Sequence, residues 1–247
     1  MDPKEYANLS KVETHHWFYA GKRQIVRYWI QRVHPLSPEH LLADCGAGTG
    51  RFAAEMTAHC RVLAIDDHEE SLELAQGHLG AERVKRGTCC HLPLADASVD
   101  VLTALDVIEH VEKDRDALKE FSRVVRPGGI VVITVPALMM LWSDWDVALH
   151  HFRRYNRRSL LEVIPRDTFE VVHINYVNVV AFPLVWLVRK SRALKAKFGA
   201  KVESRSEDNI PPGPINALLR WSFVWPACQN LISFPIGVGL IAVLRRK

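Results

Sequence analysis

The chain has 247 residues, 48% of them hydrophobic and 24% charged, with a formal net charge of +4. That length can bury a full core, and that composition excludes a disordered or fibrous chain. The mild basicity does not point to nucleic acid, whose binders concentrate Lys and Arg on one face.

The N-terminal "MDPKEYANLSKVETHHWFYAGKR" is polar and aromatic and has no apolar signal core. Tyr6, Leu9, Val12, Ile25, Val26, Trp29 and Val33 recur at helical spacing, and "HPLSPEH" ends the helix. Short β-rich runs then alternate with helical ones: "LLADC", "RVLAID", "RVKRG", "VDVLTAL", "GIVVITV", "FEVVHINYV" and "VGLIAVL". Between the fourth and fifth runs, Ala117, Leu118, Phe121, Val124 and Val125 make one helical stripe, stopped by "RPGG". Such alternation predicts an α/β fold, a doubly wound and mainly parallel sheet with helices on both faces. About sixty residues separate the last two runs, too many for a simple connection. They hold an aromatic, basic-ended run from Phe182 to Lys201, the polar loop "VESRSEDNIPPGP" and the apolar "INALLRWSFVWPACQNLI". The expected organisation is one domain over 1–247. It comprises an N-terminal helical lid (1–40), a core (41–180), a helical insertion (181–235) and a last strand (236–247).

Cys45, Cys60, Cys89, Cys90 and Cys228 are odd in number and fit neither a zinc ribbon nor a disulfide framework. They predict a reducing, cytoplasmic compartment. The longest apolar stretches are too short to span a bilayer.

The stretch "LLADCGAGTG" places Gly46, Gly48 and Gly50 behind an apolar strand and before the helical "RFAAEMTA". Glycines let the backbone turn and approach a ligand closely, and the following helix offers free N–H groups. A dinucleotide loop needs its third glycine where Arg51 stands, which disfavours a nicotinamide oxidoreductase, and a triphosphate loop needs Gly-Lys-Ser/Thr. What remains is a G-x-G-x-G loop behind an acid, Asp44, suited to a zwitterion. Asp66 ends the second run, twenty positions after Gly46. A carboxylate there can accept ribose hydroxyls, cap the helix after it, or do both.

"LLADCGAGTGRFAAEM", "VLAIDDHEESLELA", "LPLADASVDVLTALDVIEHV" and "ALKEFSRVVRPGGIVVITVPA" follow in order and resemble the motifs of class I S-adenosylmethionine-dependent methyltransferases. The bacterial type 11 group is the closest likeness, and the flanking "HHWF" and "LWSDWDVALHHFRRY" resemble a bacterial subgroup of it. The resemblance implies a Rossmann-like, seven-stranded sheet with the last strand antiparallel, and S-adenosyl-L-methionine as cofactor. Asp44, Gly46, Ala47, Gly48 and Gly50 would hold its methionine end, Asp66 the ribose, and Asp67 would lie near the adenine. The loop carrying Thr88, Cys89 and Cys90 would cover the adenine, with Leu105 at the end of the fourth strand beside the cofactor. Thr88 stands where the family usually has an acid, which leaves a backbone N–H near Cys89 as the adenine contact. Ordinary small buried residues is the plainer reading of Cys89 and Cys90.

Methyl transfer needs positioning and, for a protic acceptor, a base. His110, His150 and His151 are the candidates. Asp106, Glu109 and His110 also resemble the metal-binding turn of ubiquinone-pathway and small-RNA 2′-O-methyltransferases. Those carry Glu in place of Asp106, and the expectation is that no metal is required. Trp142, Trp145, Arg154 and Tyr155 are expected at the acceptor. "HHFRRYNRRS" reads equally as an anion clamp or as a solvated helix start with Tyr155 packed down. Trp17 belongs to "HHWF", which reads as a lid, as docking of the first helix, or as both.

The expected activity is methylation of a small-molecule acceptor with an apolar part, on oxygen, with no nucleic acid. The aromatic insertion suggests an isoprenoid, an aromatic natural product or a lipid-linked sugar. Alternatives are a C-methyltransferase, an RNA 2′-O-methyltransferase, or a protein that binds S-adenosylmethionine without turnover. "FPLVWLVRKSRALKAKFGAK" reads as core packing with a solvated end or as a peripheral membrane contact. The chain would act as a monomer or homodimer.

Overall fold

The structure is a computed structural model that describes residues 9–197 and 210–247. The start of the first expected helix and most of the expected polar loop lie outside those residues. Elements follow in chain order: α1 (Trp17–Val33), β1 (Leu41–Cys45), α2 (Arg51–Met56), β2 (Arg61–Asp66), α3 (Glu69–Leu79) and β3 (Val84–Arg86). Then come β4 (Val99–Leu105), α4 (Asp114–Val124), β5 (Val125–Pro136), α5 (Asp144–Ala148), α6 (Arg157–Val163), β6 (Phe169–Val177), α7 (Phe182–Lys197), α8 (Gly213–Ala227) and β7 (Gly239–Arg246).

The seven strands lie in the order β3-β2-β1-β4-β5-β7-β6. The pairs among β1 to β5 are parallel, whereas β7 runs antiparallel to both β5 and β6. Central strands of such a sheet are covered on both faces, which is why β4 and β5 read as near-continuous apolar runs. Phe121, Leu118, Tyr155 and Leu160 fill the core on one face. Trp29, Ile30, Phe52 and Met56 fill it on the other. The stripe expected in α4 is buried throughout. The "RPGG" turn is taken into β5, where a bulge between Val99 and Val101 absorbs it.

The N-terminal segment is not one helix. It turns at Thr14 and His15, and His16 caps α1 by accepting a hydrogen bond from the Phe18 N–H at 3.3 Å. Helix α1 packs along α8: Phe18 stacks on Phe223 at 5.6 Å, and the Trp29 indole donates to the Ala227 carbonyl at 2.9 Å. Helix α7 lies against the turn Met139–Leu141 and leaves Leu184, Leu187 and Leu194 exposed, so core packing does not account for its apolar residues. Among the described residues no helix is long and apolar enough to cross a membrane.

Candidate active site

Because β1, β2, β4 and β5 are parallel, their carboxyl ends open on one edge of the sheet, where ligands of doubly wound folds collect. The glycine loop begins there. Its N–H groups at Gly46 and Ala47 donate to the Ile65 carbonyl at 2.8 and 3.1 Å, fastening it to β2. Gly46, Gly48 and Gly50 have φ of +68°, +55° and +74°, a region that L side chains rarely adopt. A Cβ on Gly46 would meet Val107 at 2.5 Å and one on Gly50 would meet Ala75 at 2.8 Å, whereas Gly48 faces open space. The outer two glycines thus permit close packing, and the middle one leaves room for a ligand.

Two carboxylates flank this space. Asp44 is 3% exposed and accepts a hydrogen bond from the Thr103 hydroxyl at 2.6 Å. Burial, with the Asp66 charge adding to it, pushes its carboxyl up to about 7 despite Thr103. A buried carboxylate in that state is stabilised by a neighbouring ammonium. Asp66 accepts from the Gly48 N–H at 2.9 Å and the His68 N–H at 3.1 Å. It therefore ties the loop to the start of α3, and its oxygens keep further lone pairs for outside donors. Asp67 is exposed and its side chain lies 2.7 Å from His68 Nδ1. Thr88 and His91 bracket the next loop through a short bridge. Cys89 is half-buried on the core, its thiol pushed up to about 12 by burial and by Cys90. Cys90 is exposed, which sets aside for it the plainer reading as an ordinary buried residue. Leu105 packs half-buried at the end of β4.

The other side of the crevice is built by the loop after β5. Tyr155 donates its N–H to Pro136 at 2.9 Å and accepts from Leu138 at 2.7 Å, returning the loop to the strand end. Asp146, fully buried, accepts from His151 Nδ1 at 3.0 Å, Arg154 Nε at 2.6 Å and the Ser143 N–H at 2.9 Å. Burial alone would raise its carboxyl, but the bonds from His151 and Arg154 hold it down at about 2. His151 is thereby oriented with its second nitrogen free of this bond, and its ring meets His110 edge-on at 4.6 Å. Burial and the neighbouring His151 push His110 down to about 4. Beside them Glu109 is 0% exposed, and neither oxygen has a hydrogen-bond partner among the described residues. Burial first, then the Asp106 charge, pushes its carboxyl well above the usual carboxylate range. Glu109, His110 and His151 offer ligand atoms all within 4.8 Å of one another. Asp106 does not complete that set, since it pairs with Lys22 from α1 and accepts from the Thr134 hydroxyl at 2.8 Å. Against burial, the Lys22 ammonium keeps its carboxyl below the usual range.

Several expected residues are placed differently. His150 is exposed with φ +57°, on the outside of the loop whose inner histidine is His151. Arg154 is 7% exposed, and its guanidinium turns inward to Asp146 and the Ala137 carbonyl, 3.0 Å away. Tyr155 is 2% exposed and donates its hydroxyl to Asp114 at 2.7 Å. Both fasten the loop, which corrects their expected place against the acceptor: a basic, tyrosine-bearing run looks solvated until its buried acids are known. Trp17 packs edge-on to Phe223 at 5.9 Å and its N–H donates to Asn216 at 2.8 Å, the docking role. Trp142 and Trp145 are half-buried on the same loop as His151.

Sequence reasoning missed Asp146, Lys22, Glu13 and Asn216. Glu13, 6% exposed, accepts from the Thr49 hydroxyl at 2.8 Å, closing the N-terminal segment onto the glycine loop. The partners of Glu13, Lys22 and Asn216 are remote in sequence, while Asp146 meets His151 and Arg154 five and eight residues on, a spacing no helix or strand pattern marks; only the charges of Glu13 and Lys22 around the aromatic "HHWF" hinted at the first group.

A family model described as a methyltransferase domain matches residues 43–133. A Mycolicibacterium smegmatis protein named a probable S-adenosylmethionine-dependent methyltransferase is 30% identical over 162 residues, covering 65% of this chain and 62% of that one. The malonyl-[acyl-carrier protein] O-methyltransferase of Methylococcus capsulatus is 31% identical over 171 residues, covering 63% of this chain and 62% of that one. The chain thus spans about 62% of the length of both curated relatives. The crystal structure of an S-adenosylmethionine-dependent methyltransferase from Thermotoga maritima shares the fold, with a TM-score of 0.63 at 19% identity over 99% of this chain and 95% of that one. The ordered motifs, the strand order with its single antiparallel strand and the methyltransferase-domain match over residues 43–133 are similar to those of the class I S-adenosylmethionine-dependent methyltransferases.

Proposed function

We propose that the protein transfers the methyl group of S-adenosylmethionine to an oxygen of a small molecule with an apolar part, with His151 as base. The observation that carries this reading is the buried Asp146 carboxylate on His151 Nδ1, 3.0 Å away, at the carboxyl ends of the strands. An ionised, buried carboxylate fixes the tautomer and stabilises the imidazolium formed when the other nitrogen takes a proton. The cofactor supplies a methyl sulfonium, from which transfer is an in-line displacement. The chain's own residues bind, orient and exclude water. Asp44 receives the ammonium, Gly48 leaves the approach clear, and Asp66 accepts the ribose hydroxyls. Glu13 and Lys22 bring the N-terminal segment over the strand ends and shield them. Glu109, buried and with its carboxyl pushed up by burial, lies beside His110 and His151.

An apolar acceptor is supported by the rim. Met139, Met140, Val147 and Phe152 are exposed on the same loop, and the Phe152 N–H donates to the Glu109 carbonyl at 2.8 Å. Apolar walls with few polar points suit a small-molecule site. Oxygen as the target agrees with the name of the Methylococcus relative. The test is turnover with labelled cofactor against apolar alcohols, phenols and carboxylic acids, with the methylated atom read from the product. His151→Ala should lower turnover by about a hundredfold or more at unchanged cofactor affinity, and normal turnover would remove His151 from the mechanism.

A second reading is favoured by the orphaned Glu109. With His110 and His151 it offers one carboxylate and two imidazoles to a divalent ion. Asp106 is engaged by Lys22, which leaves three protein ligands and supports the metal-free reading.

A further inference from the structure

Helices α7 and α8 each present an apolar stripe to solvent. On α7, Leu184, Leu187 and Leu194 recur on one side and are 66%, 60% and 57% exposed. Arg189, on the opposite side, bonds to the Leu141 carbonyl and holds the helix against the protein. On α8, Leu218, Trp221 and Trp225 recur likewise, the two indoles stacked at 6.1 Å, while Phe223 and Ala227 on the other side are buried. Leu231, just beyond α8, is 92% exposed. Apolar surface of this extent on a water-soluble face marks an interaction site.

The charge distribution identifies the partner. Residues 171–247 carry eleven Lys and Arg against three Asp and Glu; Arg245, Arg246 and Lys247 bond to the Val33, Val125 and Arg166 carbonyls, and the α7 and α8 sequences themselves hold six, Arg189, Lys190, Arg192, Lys195, Lys197 and Arg220. All three of those acids lie between Glu203 and Asp208, so neither the α7 nor the α8 sequence contains one. Leucines in the stripe, tryptophans beside them and basic residues without acids are the chemistry that lies in the plane of an anionic bilayer surface. A protein interface would instead be depleted of lysine.

We propose that the exposed stripes of α7 and α8 dock on an anionic lipid surface. Leu184, Leu187, Leu218 and Leu231 enter the headgroup boundary, Trp221 and Trp225 sit at its level, and Lys190 meets lipid phosphate. The inference goes beyond methyl transfer and stands without it. Through Arg189 the docked face adjoins the loop that carries His151.

The full chain is mixed with vesicles of phosphatidylcholine alone and of phosphatidylcholine with phosphatidylglycerol. Sedimentation and tryptophan emission are then followed. Binding to the mixed vesicles, weakened by salt and accompanied by a blue shift, is expected. Lys190→Glu, a change of two charges, should weaken it by about thirtyfold. Leu187→Ser and Leu231→Ser should each weaken it by about tenfold. These positions are exposed, and circular dichroism with S-adenosylmethionine affinity confirms that each variant stays folded. Failure to bind anionic vesicles, equal binding to neutral ones, or binding untouched by the substitutions would overturn the proposal. So would a concentration-dependent dimer that the same substitutions dissolve without any vesicle binding.

Discussion

Asp44 offers a test that needs no acceptor. Its carboxyl is moved from an ordinary 3.8 to about 7 in the folded chain without cofactor. The ammonium of S-adenosylmethionine needs the ionised form, so binding must expel whatever proton Asp44 holds. With a value near 7, the site is about 0.9 protonated at pH 6, half at pH 7 and about 0.1 at pH 8. Calorimetry in buffers of different ionisation heats should count those protons released on binding. Affinity should fall by about tenfold per unit once the pH is well below 7. The linkage also fixes the sign for stability. A carboxyl whose folded value lies above its unfolded one favours folding most at low pH, and that contribution disappears between about 4 and about 7. Its size is on the order of 4 kcal/mol. Asp44→Asn keeps an acceptor for Thr103 and removes the charge. It should melt higher than the parent at pH 8 in the absence of cofactor, bind cofactor at least about tenfold more weakly, and lose the pH dependence. A flat affinity profile with no proton release would refute the assignment of Asp44 to the ammonium.

Asp66→Ala should weaken cofactor binding by more than about tenfold, the scale of a charge-assisted hydrogen bond; unchanged affinity in a folded variant would leave Asp66 as the tie to Gly48 and His68 alone. Asp146→Asn should lower turnover with cofactor affinity retained. It should also lower the melting temperature, because Arg154 is left in the interior facing a neutral group. Full turnover there would dismiss the Asp146–His151 pair. Activity should survive exhaustive chelation, and abolition by chelator with restoration by magnesium would install Glu109, His110 and His151 as metal ligands.

Much of the fold was legible because parallel strands must be apolar on both faces. "LLADC", "RVLAID" and "VDVLTAL" coincide with the parallel strands β1, β2 and β4 residue for residue, and "FEVVHINYV" coincides with the edge strand β6, antiparallel to β7, whose β-branched and aromatic residues marked it instead. The glycine loop was legible because positive φ and close approach leave glycine as the fitting residue. The break at Thr14–His16 was not, since periodicity continues across a cap that only His16's own bond reveals. Nor was Asp146: its carboxylate reads as a helix-start acid until the chain folds His151 and Arg154 onto it. Arg154 and Tyr155 misled for the same reason, because burial of a basic run depends on acids at Asp114 and Asp146 that no local pattern couples to it. The exposed stripes of α7 and α8 share the composition of core helices, and only packing tells the two apart.

The most direct test of the account is a calorimetric titration of the purified chain with S-adenosylmethionine, beside a folded Gly48→Val variant. The φ of +55° and the open space at Gly48 predict one cofactor per wild-type chain and none in the variant, whose side chain would be strained and would fill the approach. A folded wild type that takes up no cofactor, or a variant that binds as the parent does, would contradict the placement of the methyl donor at this loop.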